Sequence, residues 1–119
     1  MLRKIDCVMV RVDALEAAEA FYTKVFGLQP LWRDESAVGM ALPETDAEVV
    51  LHTMDLPADL NVYFLVDDVA AAVAAYERGG CVVRTSPFDV AIGRCAVLED
   101  PFGNSLCVID LSKGPRQPI

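Results

Sequence analysis

Val66-Asp67-Asp68-Val69-Ala70-Ala71-Ala72-Val73-Ala74-Ala75-Tyr76 echoes Val12-Asp13-Ala14-Leu15-Glu16-Ala17-Ala18-Glu19-Ala20-Phe21-Tyr22 at an offset of 54 residues, without a gap. Six positions are identical, three of them alanine. The context repeats as well: an apolar, strand-like stretch precedes each copy and glycine follows it, Gly27 in one case and Gly79-Gly80 in the other. A repeat of this kind must be read before any single element, because it sets the architecture.

Each copy reads as strand, then helix. Val8, Val10 and Val12 alternate with Cys7, Met9 and Arg11, a strand period. Asp13 is placed to cap the helix that follows, and Leu15, Ala18, Phe21, Tyr22 and Val25 recur at helical spacing. Gly27 suits a left-handed stop. Asn61 to Val66 is the second strand, Asp67 or Asp68 the second cap, and Val69, Val73 and Tyr76 the second stripe. Three short strand-like segments follow each helix: Gln29 to Arg33, Val38 to Leu42 and Glu48 to Met54, then Cys81 to Thr85, Arg94 to Glu99 and Ser105 to Leu111. Turn residues divide them at Asp34-Glu35-Ser36, Pro43-Glu44-Thr45-Asp46, Ser86-Pro87 and Asp100-Pro101-Phe102-Gly103-Asn104. The order is β-α-β-β-β, twice. One domain is expected over 1–111, with module one over 1–54 and module two over 61–111. Asp55 to Leu60 links them, and 112–119 is a loose tail.

Composition narrows the function classes. Ten basic against eighteen acidic residues give a net charge of −8, which lacks the basic footprint that nucleic acid or an anionic membrane surface requires. No apolar run approaches the ~18 residues of a bilayer span, and the N-terminus has no signal-peptide pattern. The four cysteines, Cys7, Cys81, Cys95 and Cys107, are widely spaced and form no CxxC. Reduced thiols in a cytoplasmic protein are the expectation.

Two further stretches carry a resemblance: Phe21-Tyr22-Thr23-Lys24-Val25-Phe26-Gly27-Leu28 and Gly93-Arg94-Cys95-Ala96-Val97-Leu98-Glu99-Asp100-Pro101-Phe102-Gly103-Asn104. With the repeat, they make the chain resemble the vicinal oxygen chelate superfamily, the glyoxalase/bleomycin-resistance/dioxygenase group. The resemblance implies an α+β fold with two βαβββ modules in tandem. Curled mixed sheets would surround a cleft, with the helices on the outer face. Strand alternation then places Val8, Val10 and Val12 on the helix side and Cys7, Met9 and Arg11 on the other. Likewise Val66 and Val108 face the helix, while Asn61, Tyr63, Leu65, Cys107 and Ile109 face away. Leu51 in the core turns His52 outward.

Enzymes of this family hold a divalent metal with His, Glu or Gln on four cavity-facing strands. The matching positions here are Cys7, Val50 (or His52 in another register), Asn61 and Cys107. Valine cannot ligate, and asparagine is a weak donor, so no cofactor is expected. If a divalent metal is bound, Cys7, His52 and Cys107 are its candidates.

His52 is the best acid–base candidate, its ordinary pKa lying nearest neutrality, although a lone strand histidine is also readily satisfied by its neighbours. Arg11 either meets an anion or pairs with Glu48 or a neighbouring acid, and Arg94 has a similar status with its facing left open. Trp32 and Tyr63 can stack on a planar ligand or pack in the core. The ligand-binding set is therefore Cys7, Met9, Arg11, Trp32, Val50, His52, Asn61, Tyr63, Arg94 and Cys107. The family likeness implies a small organic ligand and a homodimer. Three functions compete: a metal-independent binding protein, to which a cationic planar ligand suits the −8 charge; a metal-dependent lyase, isomerase or dioxygenase; and a regulatory domain without catalysis.

Overall fold

The computed structural model describes residues 1–57 and 60–119. Of the expected linker, Ala58 and Asp59 lie outside the described residues. The first βαβββ module comprises β1 (Lys4–Arg11), α1 (Leu15–Phe26), β2 (Gln29–Arg33), β3 (Ala37–Leu42) and β4 (Thr45–His52). The second comprises β5 (Val62–Leu65), α2 (Val69–Arg78), β6 (Val82–Val90), β7 (Gly93–Glu99) and β8 (Ser105–Ile109). The chain is α+β, and its compact units are Cys7–Asn61 with Gln117–Ile119, and Met1–Asp6 with Val62–Arg116. Residues 1–6 join the second unit because Arg3 N–H donates to the Leu65 carbonyl at 2.8 Å and the Arg3 guanidinium meets Asp67 at 3.0 Å.

In the first module the strands run β2-β3-β4-β1, with β1 and β4 parallel and the other pairs antiparallel. Parallel neighbours need a crossover, which α1 and two strands supply. Leu28, Val38, Met40 and Leu51 form the buried core on the helix side, with Val10, Val12, Leu15, Ala18 and Tyr22 packed against it. Gly27 ends α1 at φ 74°, a conformation that costs glycine little.

Two expectations for α1 need correction. Asp13 does not cap it. Ala14 occupies the cap position with no side-chain hydrogen bond, and Asp13 lies 3.8 Å from Arg11. The apolar stripe is also only partly buried. Leu15, Ala18 and Tyr22 face the sheet, whereas Phe21 and Val25 stay 53% and 54% exposed. Phe21 lies about 100° of helical turn from Tyr22, off the packed face.

The second module runs β5-β8-β7-β6, with β5 and β8 parallel. Here the cap is Asp68, whose Oδ1 accepts the Ala71 N–H at 3.2 Å. Val69, Ala72 and Val73 of α2 are buried with Val66, Ala96, Leu98 and Val108. The Asp-Pro-x-Gly-Asn turn forms as its residues dictate. Asp100 Oδ1 accepts the Phe102 and Asn104 N–H groups at 2.8 and 2.9 Å, and Gly103 takes φ 89°. The Asn104 side chain, first, and these N–H groups hold the Asp100 carboxyl below its ordinary pKa.

Strand limits shift where turns were expected. Pro43-Glu44 alone makes the hairpin between β3 and β4, so β4 starts at Thr45 rather than Glu48 and ends at His52. Ser86-Pro87 is no turn: β6 continues through it to Val90. Proline fits there because β6 is the outer strand of its module's sheet and its pairing register slips on both sides of Thr85.

Asp110, just past β8, is 2% exposed and binds both ends of its surroundings. Its Oδ2 accepts the Val69 N–H at 2.9 Å. Its Oδ1 accepts the Arg94 N–H at 2.9 Å and the Ser112 hydroxyl at 2.8 Å. Burial raises this carboxyl's pKa, but the hydrogen bonds outweigh it and the net direction is down. Gly93 is needed beside it, since a Cβ there would stand 2.2 Å from the Asp110 carbonyl oxygen. Beyond Asp110, Lys113 N–H donates to Ile92 and Ile119 N–H to Leu31, both at 2.9 Å.

Candidate functional site

The first module's sheet has a second face, turned away from α1. Because pairing fixes which residues stand side by side, the register lays out this face in three rows. Cys7 stands beside Glu48 and then Ala41. Met9 stands beside Val50, Gly39 and Trp32. Arg11 stands beside His52 and Ala37. Cys7, Trp32, Ala37, Val50 and His52 are all buried.

The middle row is apolar. Trp32 lies against Gly39 so closely that a Cβ on Gly39 would meet the indole Nε1 at 2.0 Å. The indole N–H needs an acceptor once buried. It finds Glu48 Oε1 at 2.6 Å. Cys7 donates its thiol weakly to the Met9 sulfur at 3.9 Å. Of the two acids open to Arg11, Glu48 is bonded to Trp32, and the neighbouring Asp13 is the one that comes near the guanidinium, at 3.8 Å. Arg11 points its guanidinium to the Val12 carbonyl at 2.6 Å and stays half exposed.

His52 closes the other end. Its Nδ1 accepts the Met54 N–H at 3.1 Å. Burial, and then the Arg11 charge, hold its pKa below the ordinary 6.5. An N–H aimed at Nδ1 needs that nitrogen's lone pair, so this contact too belongs to the neutral ring.

The second module treats its corresponding face differently. Tyr63 stands beside Cys107, and Tyr63 packs with Leu65, Cys95, Ile109, Val90 and Ile92 as one apolar cluster. Cys95 is hydrogen-bonded to Cys107, and this contact, followed by burial, pushes the Cys95 thiol far up. It stays protonated and is no nucleophile.

The sequence-derived residues thus divide. Cys7, Met9, Arg11, Trp32, Val50 and His52 share one face of the first module, and Tyr63 and Cys107 share one face of the second. Asn61 is exposed and precedes β5, contributing its carbonyl to the Met9 N–H at 2.7 Å. Arg94 alternates with Cys95 and so falls on the strand face of Ala96 and Leu98, under α2. Glu48 and Gly39 were missed as site residues. Their roles follow from the β2-β3-β4 register, which no local pattern encodes.

The fold is a tandem pair of βαβββ modules. The chain belongs to the Glyoxalase/Bleomycin resistance protein/Dioxygenase superfamily, whose family model matches residues 4–108. Two mycobacterial relatives, each called "Putative glyoxylase CFP32", from Mycobacterium bovis and Mycobacterium tuberculosis, are 36% identical over 113 residues. The match covers 88% of this chain and 42% of each relative, so the chain spans less than half their length. Among solved structures, a Streptomyces coelicolor methylmalonyl-CoA epimerase variant in complex with 2-nitronate-propionyl-CoA superposes with a TM-score of 0.72 at 18% identity, covering 94% of this chain and 99% of that one. A methylmalonyl-CoA epimerase in complex with methylmalonyl-CoA and NH4+ gives 0.72 at 18%, covering 97% and 100%. These likenesses establish the fold.

The residues present do not fit the metal that the family implies. The register sets Glu48, not Val50 or His52, beside Cys7, but Glu48 already accepts the Trp32 indole N–H. Val50 has no donor atom. Among the described residues, no three His, Cys, Asp or Glu side chains are grouped to hold an ion. Two donors, one of them engaged, are too few for the usual four-coordinate arrangement. Also among the described residues, no helix is long and apolar enough to cross a membrane.

Proposed function

We propose that the chain binds a small organic molecule, without a metal, on the first module's sheet face turned away from α1. One observation carries this reading: the face joins an apolar middle row, with Trp32 seated on Gly39, to a polar row at each end. Binding faces of this make-up bury a ligand's apolar body and orient it through a few polar groups.

The competing reading is a metal-dependent lyase, isomerase or dioxygenase, which the printed name of the mycobacterial relatives favours. Metal analysis of the purified protein separates the two. The binding reading expects sub-stoichiometric zinc, nickel, manganese and iron, and no rise in Tm when these are added. A stoichiometric ion lost on Cys7→Ser or Glu48→Gln substitution would overturn it. A thermal-shift screen of metabolites then identifies the ligand.

A cytoplasmic homodimer completes the proposal. All four cysteines are free thiols, as a reducing compartment leaves them. Phe21, Val25 and Phe26 of α1 stay more than half exposed, with the Phe21 and Phe26 rings 5.6 Å apart edge to face. An apolar patch of this kind suits a second copy. Sedimentation of wild type and Phe26→Glu tests it: a monomer in both cases refutes the dimer.

A further inference from the structure

The Arg11–His52 row carries chemistry that the remainder of the face lacks. His52 is 4% exposed, and the Met54 N–H occupies its Nδ1. A neutral imidazole has one donor and one acceptor nitrogen, so the ring proton sits on Nε2. Among the described residues, no group accepts that Nε2–H. Nε2 is not among the buried polar atoms that lack a partner, so it keeps access to solvent and can exchange water for a ligand acceptor.

The neighbours indicate which acceptor. Arg11 stands directly beside His52 in the parallel register. Its guanidinium offers five N–H groups; the Val12 carbonyl takes one at 2.6 Å, and Asp13 lies 3.8 Å away. On the other side of His52 is Ala37, too small to cover the ring and without a side-chain acceptor. Glu48, a carboxylate of this face, lies four residues before His52 along β4 and is bound to Trp32, so it does not compete for the position.

We propose that Arg11 and His52 form the carboxylate-binding end of the site. One carboxylate oxygen accepts His52 Nε2–H and the guanidinium balances the charge. The ligand's apolar body lies along Met9, Val50 and Trp32. This rests on the ligand-binding reading above and names its ligand class, a small monocarboxylate with an apolar or planar body. A cationic ligand, which the net charge alone suits, gains nothing from two donors. His52 here binds and orients; with Nδ1 engaged and Nε2 protonated, it has no free lone pair with which to act as a base.

The chain has a single histidine, which makes the test direct. Long-range ¹H–¹⁵N correlation spectra of the full chain report which ring nitrogen carries the proton. The expected result is the Nε2–H tautomer, with a saturable Nε2 shift on adding phenylacetate and none on adding phenethylamine. Arg11→Gln should weaken phenylacetate about tenfold. His52→Phe should weaken it similarly, and His52→Gln, which keeps an amide donor, should restore part of the loss. An Nδ1–H tautomer, no response to phenylacetate, an equal response to the amine, or unchanged affinity in Arg11→Gln would each overturn the assignment. The wild-type spectra decide even if a variant fails to fold. A saturable non-carboxylate ligand from the thermal-shift screen would sink this assignment alone, whereas a stoichiometric metal would sink the binding reading with it.

Discussion

In the first module, the sheet face turned from the helix carries Glu48, His52 and Arg11 at its ends and Trp32 against Gly39 between them. In the second, Tyr63, Leu65, Cys95 and Ile109 pack there into an apolar cluster, in which the protonated Cys95 thiol meets Cys107. The helices differ in the same sense. α2 is capped by Asp68 and buries three residues, while α1 has no side-chain cap and buries none fully. One repeated scaffold therefore serves two ends. Dense packing gives a rigid module, in which only the Tyr76 hydroxyl on α2 is buried without a partner among the described residues, and open hydrogen-bonding capacity on a half-apolar face gives a binding one.

Asp110 holds the second module most strongly, because it ties α2, β7 and the segment after β8 together. Asp110→Ala leaves the Val69 and Arg94 N–H groups without their acceptor, and should cost about 3 kcal/mol in urea unfolding. Gly93→Ala acts on the same contact and should be less than additive with it in a double-mutant cycle. The pH dependence has a fixed sign. The folded carboxyl is depressed below its unfolded value, about 3.9. Its contribution is therefore complete above that value and is lost as pH falls through the lower, folded pKa. Asp110→Asn should flatten the acid limb of the stability profile. An unchanged profile would mean that the second module does not depend on this carboxylate.

What could be foreseen from sequence follows the range of the interactions. The Gly27 stop and the Asp100–Asn104 turn are each set within a few residues and could be read directly, and the second helix cap could be narrowed to Asp67 or Asp68, of which Asp68 makes the bond. Alternation also assigned the faces of β1, β4, β5 and β8 correctly. The Trp32–Glu48 bond and the pairing of Cys7 with Glu48 depend on non-local register, which local patterns do not fix. Pro87 misled for a related reason: proline signals a turn locally, but an outer strand with slipped register tolerates it. Asp110 gave no signal, since its partners Val69 and Arg94 come from distant elements brought together only by the fold, and the local bond to Ser112 does not mark it out.

Gly39→Ala probes the first module with a smaller expected loss. Its Cβ would overlap the Trp32 ring, so the indole must move and release Glu48. Overpacking of this kind costs about 2 kcal/mol. The chain has one tryptophan, so its emission should shift to the red as the ring becomes wetter. If the two-use comparison holds, ligand affinity falls more than stability does. A variant with native emission and full affinity would show that Trp32 is not part of the binding face.

The smallest effects concern the helix caps, and they test whether the contrast between modules extends to their helices. Asp68→Ala removes one of two side-chain acceptors at the start of α2, leaving Asp110 on the Val69 N–H, and should cost about 1 kcal/mol. Ala14→Asp places an acceptor at the matching position of α1, where the backbone is already extended, φ −138° and ψ 114°, as a cap requires. It should stabilise by up to about 1 kcal/mol. Hydrogen exchange separates a local from a global effect. Protection should rise in the first turn of α1 and change little in α2, because the added bond satisfies an N–H of that turn alone. If Ala14→Asp instead raised protection throughout both modules, the looser packing of α1 would be the weak point of the whole chain. It would then not be a property confined to the binding module.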